Sequence, residues 1–378
     1  MKPFSLNPWL IDNRWVKEAR DLPRDPVSGA RITRLSGSSI RTENIYCEAP
    51  RASADGQRFV SQRYIDHLLS PVTALLCHDL GTKFTCLLDA EVSGVPVAPA
   101  WSGHIYYQRG TILMRVSLQT FQTQTVMDMA SLPPCWQLTS VSTDERYLLY
   151  TTLTEQPTPA YNVVRIDLRT YAWKYLLEQP EPSRCVANYN PATGHSMLIT
   201  KTFWEGNSRR GVIVLSDGDG RPKSEVMRQV HHFCWLGNTG KFAGLLNFEP
   251  DTFRHRPENP DGELCVFSSD GTPPRLVPAP EHVFYHISSS PCGRYVVCES
   301  LESGLALSPV PIVVVNVETG KHRVLVSDAC CSHGGDAGRQ VNPYFTADLR
   351  HVIYNADPDG VVNVFAAEIP EGFLESLN

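Results

Sequence analysis

The feature that most constrains this chain is a recurring unit made of a polar turn, an apolar strand-length run, a gap, a second apolar run and another turn. It returns roughly every 40–50 residues, the period at which propeller blades repeat. Ser53-Ala54-Asp55-Gly56 leads into Arg58-Phe59-Val60, and Ser142-Thr143-Asp144 into Tyr147-Leu148-Leu149-Tyr150. Further along, Ser290-Pro291-Cys292-Gly293 leads into Tyr295-Val296-Val297, and Thr346-Ala347-Asp348 into His351-Val352-Ile353-Tyr354. No stretch sustains a helical period, so the class is all-β. The spacing predicts a single seven-bladed β-propeller over residues 1–378, with about residues 1–30 as an N-terminal extension packed on it. Arg31-Ile32-Thr33-Arg34-Leu35 is expected to complete the last blade, a closure that leaves no long open sheet edge. Two stacked β-sandwiches are the alternative architecture.

A chain with 42% hydrophobic and 20% charged residues can bury a sizeable core. Its net charge of -6 gives no basic footprint for nucleic acid or an anionic membrane, and no run approaches a membrane span. The opening residues contain no apolar signal region. The eleven cysteines are an odd number, and several lie in apolar strand-like runs such as Leu264-Cys265-Val266-Phe267 and Val296-Val297-Cys298-Glu299, where a thiol acts as a small hydrophobe. Adjacent Cys330-Cys331 suit neither a long-range disulfide nor a zinc knuckle. Together these point to a reducing, cytoplasmic setting and leave the oligomeric state open.

Nucleophile elbows, phosphate-binding loops, zinc HExxH and dinucleotide glycine fingerprints are all missing from the sequence. In a propeller the innermost strands and the loops leading into them line one pocket, so polar residues at blade starts carry the information. Three such starts stand out: His231-His232-Phe233-Cys234-Trp235, His282-Val283-Phe284-Tyr285-His286-Ile287-Ser288, and Gln340-Val341-Asn342-Pro343-Tyr344-Phe345. With Pro-Tyr-Phe-Thr-Ala-Asp, Val-Ile-Tyr-Asn-Ala-Asp and Ala-Glu-Ile-Pro-Glu-Gly-Phe-Leu-Glu in the tail, they resemble the oligogalacturonate lyases over about residues 230–378; Thr33-Arg34-Leu35 and Ile45-Tyr46 fit as well.

The resemblance implies His232 as catalytic base and His286 as a ligand of a divalent metal. Where the family carries Gln-x-x-His-Pro-His-Pro, this chain keeps Gln340 but has the shorter Val-Asn342-Pro, so at least one imidazole ligand is lost. A set of His286, Gln340 and Asn342 is harder than a His-rich one and suits Mn²⁺, Ca²⁺ or Mg²⁺ better than Zn²⁺. Alternatively an arginine neutralises the substrate carboxylate, with Arg184, Arg209 and Arg339 as candidates. Tyr344 is a candidate proton donor, and Trp101, Trp136 and Trp204 are candidate sugar platforms.

These implications converge on a lyase that cleaves 4-linked uronate-containing oligosaccharides by β-elimination, with an acidic oligosaccharide as its partner. Each residue also has a structural reading. His232 suits a blade-start hydrogen bond, Gln340 and Asn342 suit turn backbone groups, and Tyr344 and the tryptophans suit the core. The rival functions are a non-catalytic propeller that binds sugar or protein, and a glycoside hydrolase using a carboxylate pair among Glu43, Glu48 and Asp336.

Overall fold

A computed structural model describes residues 15–37, 39–47, 51–67, 70–154, 160–178, 183–194, 196–205, 208–228, 232–246, 263–270, 272–279, 281–300, 309–329 and 340–378. Among these residues there is no α-helix, only antiparallel sheets and one 3₁₀ turn, Glu375–Leu377. The sheets are meanders in which each strand pairs with the next along the chain. Four have four strands, and their first strands are Gln137–Val141, Ser183–Tyr189, Phe233–Trp235 and Phe284–Ser289. An eight-stranded sheet has seven strands in order from Thr42–Asn44 to Thr123–Asp128, with Trp15–Val16 paired to Phe84–Val97 as the eighth. Its long strand Phe84–Val97 serves two groups: residues up to Val92 pair with Ser70–Asp79, and Ser93 and Val97 pair with His104–Arg109.

The last sheet joins the two parts of the chain that are farthest apart in sequence. Arg31–Arg34 pairs with Asn363–Glu368, with Arg34 opposite Phe365 and Arg31 opposite Glu368. The sequence assigned this role to Arg31–Leu35, and the pairing is observed up to Arg34.

A local device repeats after the first strand of several sheets. Ser53 Oγ contacts Asp55 Oδ1 at 2.5 Å and accepts Arg58 N–H at 2.9 Å; Ser142 does the same with Asp144 and Tyr147, and Thr346 with Asp348 and His351. In each case the hydroxyl and carboxylate absorb backbone donors that the reversal would otherwise orphan. In the turn at Ser290 the third position is Cys292, yet Ser290 Oγ still accepts Tyr295 N–H at 3.0 Å. This is why the turn motif was readable at regular spacing.

Between sheets the packing is apolar and β-branched. Ile312-Val-Val-Val-Asn316 is buried on both faces, contributing Ile312 and Val314 to a cluster with Phe345, Val352 and Phe365, and Val313 and Val315 to one with Leu264 and Val266. Such a strand, covered on both sides, reads as a continuous apolar run. Successive turns also nest: a Cβ on Gly237, whose φ is +48°, would strike the carbonyl of Pro291, and one on Gly293 would strike that of Leu236.

Not every buried histidine serves function. His78 stacks on Phe59 with ring centroids 4.8 Å apart and is held by Ser61 Oγ at 2.7 Å and Thr85 Oγ1 at 3.0 Å. Burial pushes its pKa down to about 3, so the folded protein holds it neutral. The unfolded chain therefore binds one more proton between about pH 3 and the ordinary histidine value near 6.5, and stability falls as pH falls through that window.

Two outcomes are expected. Gly237→Ala should lower stability by about 1–3 kcal/mol or more, read as an earlier midpoint in chemical unfolding. His78→Gln should remove up to about 1.4 kcal/mol per pH unit from the slope of stability against pH below 6.5, seen by comparing denaturation series of the two proteins.

Candidate functional site

The turn that ends each first strand sets the height of the residues before it. Leu236, Ser290 and Thr346 open equivalent turns, each accepting the N–H of the residue three further on at 2.9–3.1 Å. His232, His286 and Asn342 each lie four residues before those turns, so they sit at matching levels in three consecutive sheets. Sheet register thus gathers residues that the sequence spreads over more than a hundred positions.

The gathering is direct for the imidazoles. The rings of His232 and His286 lie 4.4 Å apart between centroids. Tyr285 meets both edge-on, at 4.8 Å from His232 and 4.2 Å from His286. Tyr46, just beyond the strand Thr42–Asn44, reaches across from the first sheet; its hydroxyl lies 2.8 Å from His232 Nδ1 and its ring 5.6 Å from that of His286. Arg51, buried beneath, donates to the carbonyls of Tyr46 and Pro96 and so fixes the peptide that carries the Tyr46 ring.

His286 is fully buried beside an equally buried carboxylate. Its Nδ1 is hydrogen-bonded to Glu299 Oε1, and Glu299 Oε2 accepts the backbone N–H of Asn342 at 3.3 Å. With Nδ1–H donated to Glu299, Nε2 is left as a lone pair, and among the described residues it has no hydrogen-bond partner. A carboxylate behind an imidazole whose outer nitrogen is vacant is the support given to metal-ligating histidines. The site therefore fits a cation at His286, held by one imidazole nitrogen.

The rest of the expected ligand set is less developed. Asn342 has a left-handed backbone with φ +46°, a conformation asparagine tolerates, and its Oδ1 lies 3.8 Å from Cys47 Sγ. Gln340 is half-buried, and its carbonyl accepts Asn355 Nδ2 at 3.0 Å. Asn44 ties this segment to the first sheet, donating Nδ2 to Asn342 O at 2.8 Å and its N–H to Asn355 Oδ1 at 2.8 Å. Both residues thus carry backbone contacts of the structural kind, and no described contact joins either side chain to His286.

Tyr344 lies in the core. It is fully buried in a cluster with Leu35, Phe59 and Ile353, and burial raises its hydroxyl pKa above the ordinary value, the opposite of what a proton donor needs. The positive φ at Asn342 interrupts strand alternation just before it. Tyr46 and Tyr285 are the tyrosines at the imidazoles.

Trp136 is exposed at 55%, edge-on to Tyr161 at 6.3 Å, and precedes its first strand as His232 precedes its own, so both lie at the same end of the sheets. Trp101 is half-buried and donates Nε1–H to Phe345 O at 3.3 Å, a packing role. Arg184 and Arg209 lie on strands Ser183–Tyr189 and Ser208–Ser216, while their side chains, that of Trp204, and Arg339, Glu48 and Asp336 fall outside the described residues. Glu43 is paired with Arg41 at 2.6 Å, and burial raises its carboxyl pKa.

Glu299, Tyr285, Tyr46 and Arg51 were missed as site residues. A lone carboxylate ending the apolar run Val296-Val297-Cys298 was the available signal for Glu299, since a buried acid must have a partner.

An all-β, propeller-like protein with a buried, carboxylate-backed imidazole at the first strands is the class this geometry defines. Neither a protein-family profile nor a curated protein sequence matches the chain. Among solved structures, it is similar to an oligogalacturonate lyase in complex with manganese, with TM-score 0.73 and 17% identity over 95% of this chain and 100% of that one. It is similar also to the oligogalacturonate lyase of Vibrio parahaemolyticus, with TM-score 0.72 and 15% identity over 95% and 99%. The β-propeller domain of a Pyrococcus furiosus protease matches less well, at TM-score 0.56 and 10% identity over 86% and 96%. In fold, the chain resembles the oligogalacturonate lyases.

Glu299→Leu should cost about 2–5 kcal/mol, because it orphans both His286 Nδ1–H and the Asn342 N–H. Glu299→Gln, which keeps one acceptor, should cost less; equilibrium unfolding of the two variants gives the comparison.

Proposed function

We propose that this protein is a lyase that cleaves 4-linked uronate-containing oligosaccharides by β-elimination, on a seven-bladed propeller in which the eight-stranded sheet counts as two blades sharing Phe84–Val97. The observation that carries the reading is the adjacency of two differently supported imidazoles, His232 on Tyr46 and His286 on Glu299, in a fold like that of the oligogalacturonate lyases.

Elimination breaks the C5–H and C4–O bonds of a uronate and forms the C4–C5 double bond. A base must take the C5 proton, and the departing oxygen must gain one. His232 suits the base: when Nδ1 donates to the Tyr46 oxygen, Nε2 carries the lone pair, and the ring is held in place by Tyr46 and Tyr285. His286, with Gln340 and Asn342 as further oxygen donors, is the residue that would hold a divalent cation. Such a cation, when bound, neutralises the substrate carboxylate and makes the C5 proton more acidic. Glu299 keeps His286 in the tautomer with Nε2 outward. Trp136, exposed at the same end of the sheets, suits a sugar face.

Incubated with uronate oligosaccharides, the protein should generate the ultraviolet absorbance of an unsaturated uronate. His232→Ala should reduce that rate by about 10²-fold or more, and Tyr46→Phe by a smaller factor. Suppression by EDTA would assign carboxylate neutralisation to a cation, whereas indifference to EDTA would assign it to an arginine. Absence of the signal on every acidic oligosaccharide, from folded protein, would remove the lyase reading. Calorimetric binding of the same sugars would then point to a carbohydrate-binding propeller.

A further inference from the structure

A second cluster of ligating side chains lies away from the paired imidazoles, where the segment leading into the strand Phe284–Ser289 meets the outermost strand of the same sheet, His322–Val326. Glu281, His282 and His322 each bring one ligand atom to within 4.8 Å of the others, and they are the only such His, Cys, Asp or Glu group among the described residues.

The hydrogen bonding of His322 is what requires explanation. Its Nδ1 lies 3.1 Å from Gly320 O and its Nε2 lies 2.5 Å from Glu281 Oε1. Both partners can only accept. A neutral imidazole has one N–H, so the short Nε2–Glu281 contact is a direct hydrogen bond, and a metal ion would take the place of its proton and part the two atoms to about 3 Å. With Nδ1–H donated to the Gly320 carbonyl, Nε2 is the nitrogen presented to the cluster.

His282 is oriented in the same manner. Its Nδ1 lies 3.2 Å from Ser300 Oγ, its ring stacks on Phe284 at 5.6 Å, and it meets His322 edge-on at 5.3 Å. Two imidazoles, each with Nδ1 engaged by an oxygen and facing a common carboxylate, have the outer-shell arrangement of metal ligands. The scaffold is also set beforehand: Gly320 has φ +75°, and Pro278 packs against it at 3.5 Å from where a Cβ would stand, fixing the incoming segment over the turn that carries His322.

We propose that Glu281, His282 and His322 form a second metal site, separate in its residues from His286, that takes a first-row divalent transition ion such as Zn²⁺ or Co²⁺. Two nitrogens and a carboxylate oxygen suit these ions better than Ca²⁺ or Mg²⁺. With three protein ligands the coordination is completed by solvent, and the ion fastens the entry of one sheet to its outer edge.

The test uses the full chain, stripped with EDTA, desalted and titrated with Co²⁺. In His286→Ala, which removes the other candidate cation ligand, visible ligand-field bands should persist and saturate at one equivalent. His322→Ala, His282→Ala and Glu281→Gln should each weaken Co²⁺ binding by about tenfold or more, with circular dichroism confirming that they are folded. The proton NMR spectrum of the wild-type cobalt protein gives a readout independent of any variant: two exchangeable, hyperfine-shifted imidazole N–H signals, one per ring. Absent bands, bands unchanged by loss of His282 and His322, bands that vanish only in His286→Ala, or fewer than two shifted N–H signals would each overturn the proposal and leave Glu281 and His322 as an ion pair.

Discussion

Pairing of Arg31–Arg34 with Asn363–Glu368 is the constraint on which the site depends. It brings Asn44 and Tyr46, which follow soon after, against the sheet that ends the chain, and Asn44 then seals the junction by bonding to Asn342 and Asn355. Tyr46 lies two residues beyond that junction, its peptide held by Arg51, and reaches His232. A strand pair inside one sheet thus helps to set a hydrogen bond between residues 186 positions apart.

Within that frame, electrostatics is concentrated in one buried carboxylate. Glu299 serves two segments at once, receiving His286 Nδ1 through one oxygen and the Asn342 amide through the other. Enclosing a charge is costly unless it is paired and hydrogen-bonded, so the imidazole and the strand entry are both held in one arrangement. His232 is supported instead by a tyrosine hydroxyl. Neighbouring rings of the same residue type therefore rest on different hydrogen-bond partners, a carboxylate for one and a phenol for the other.

The repeat was legible because each sheet makes its own turn. Ser53 with Asp55, Ser142 with Asp144 and Thr346 with Asp348 are contacts two residues apart, and a motif of that range survives in a one-dimensional reading. His232 and His286 are legible as blade-start histidines and through the resemblance to the oligogalacturonate lyases, and the structure adds that both precede comparable turns by four residues. Their partners were hidden for the complementary reason: Tyr46 and Glu299 act across sheets, Arg51 bonds to a carbonyl 45 residues away, and nothing in their local sequence distinguishes them from packing residues. Tyr344 is the converse case: its place in a motif suggests chemistry, while its ring packs in the core with Leu35, Phe59 and Ile353.

The nesting of Gly237 against Pro291 and of Gly293 against Leu236 bears on how such an assembly tolerates change. These turns lie at the ends of the first strands, whereas His232, His286 and Trp136 lie at their beginnings. One rim is standardised and interlocked; the other is made of entry segments whose sequences differ from sheet to sheet. Entry segments on one rim can accordingly vary while the gearing of the opposite rim preserves the spacing between sheets.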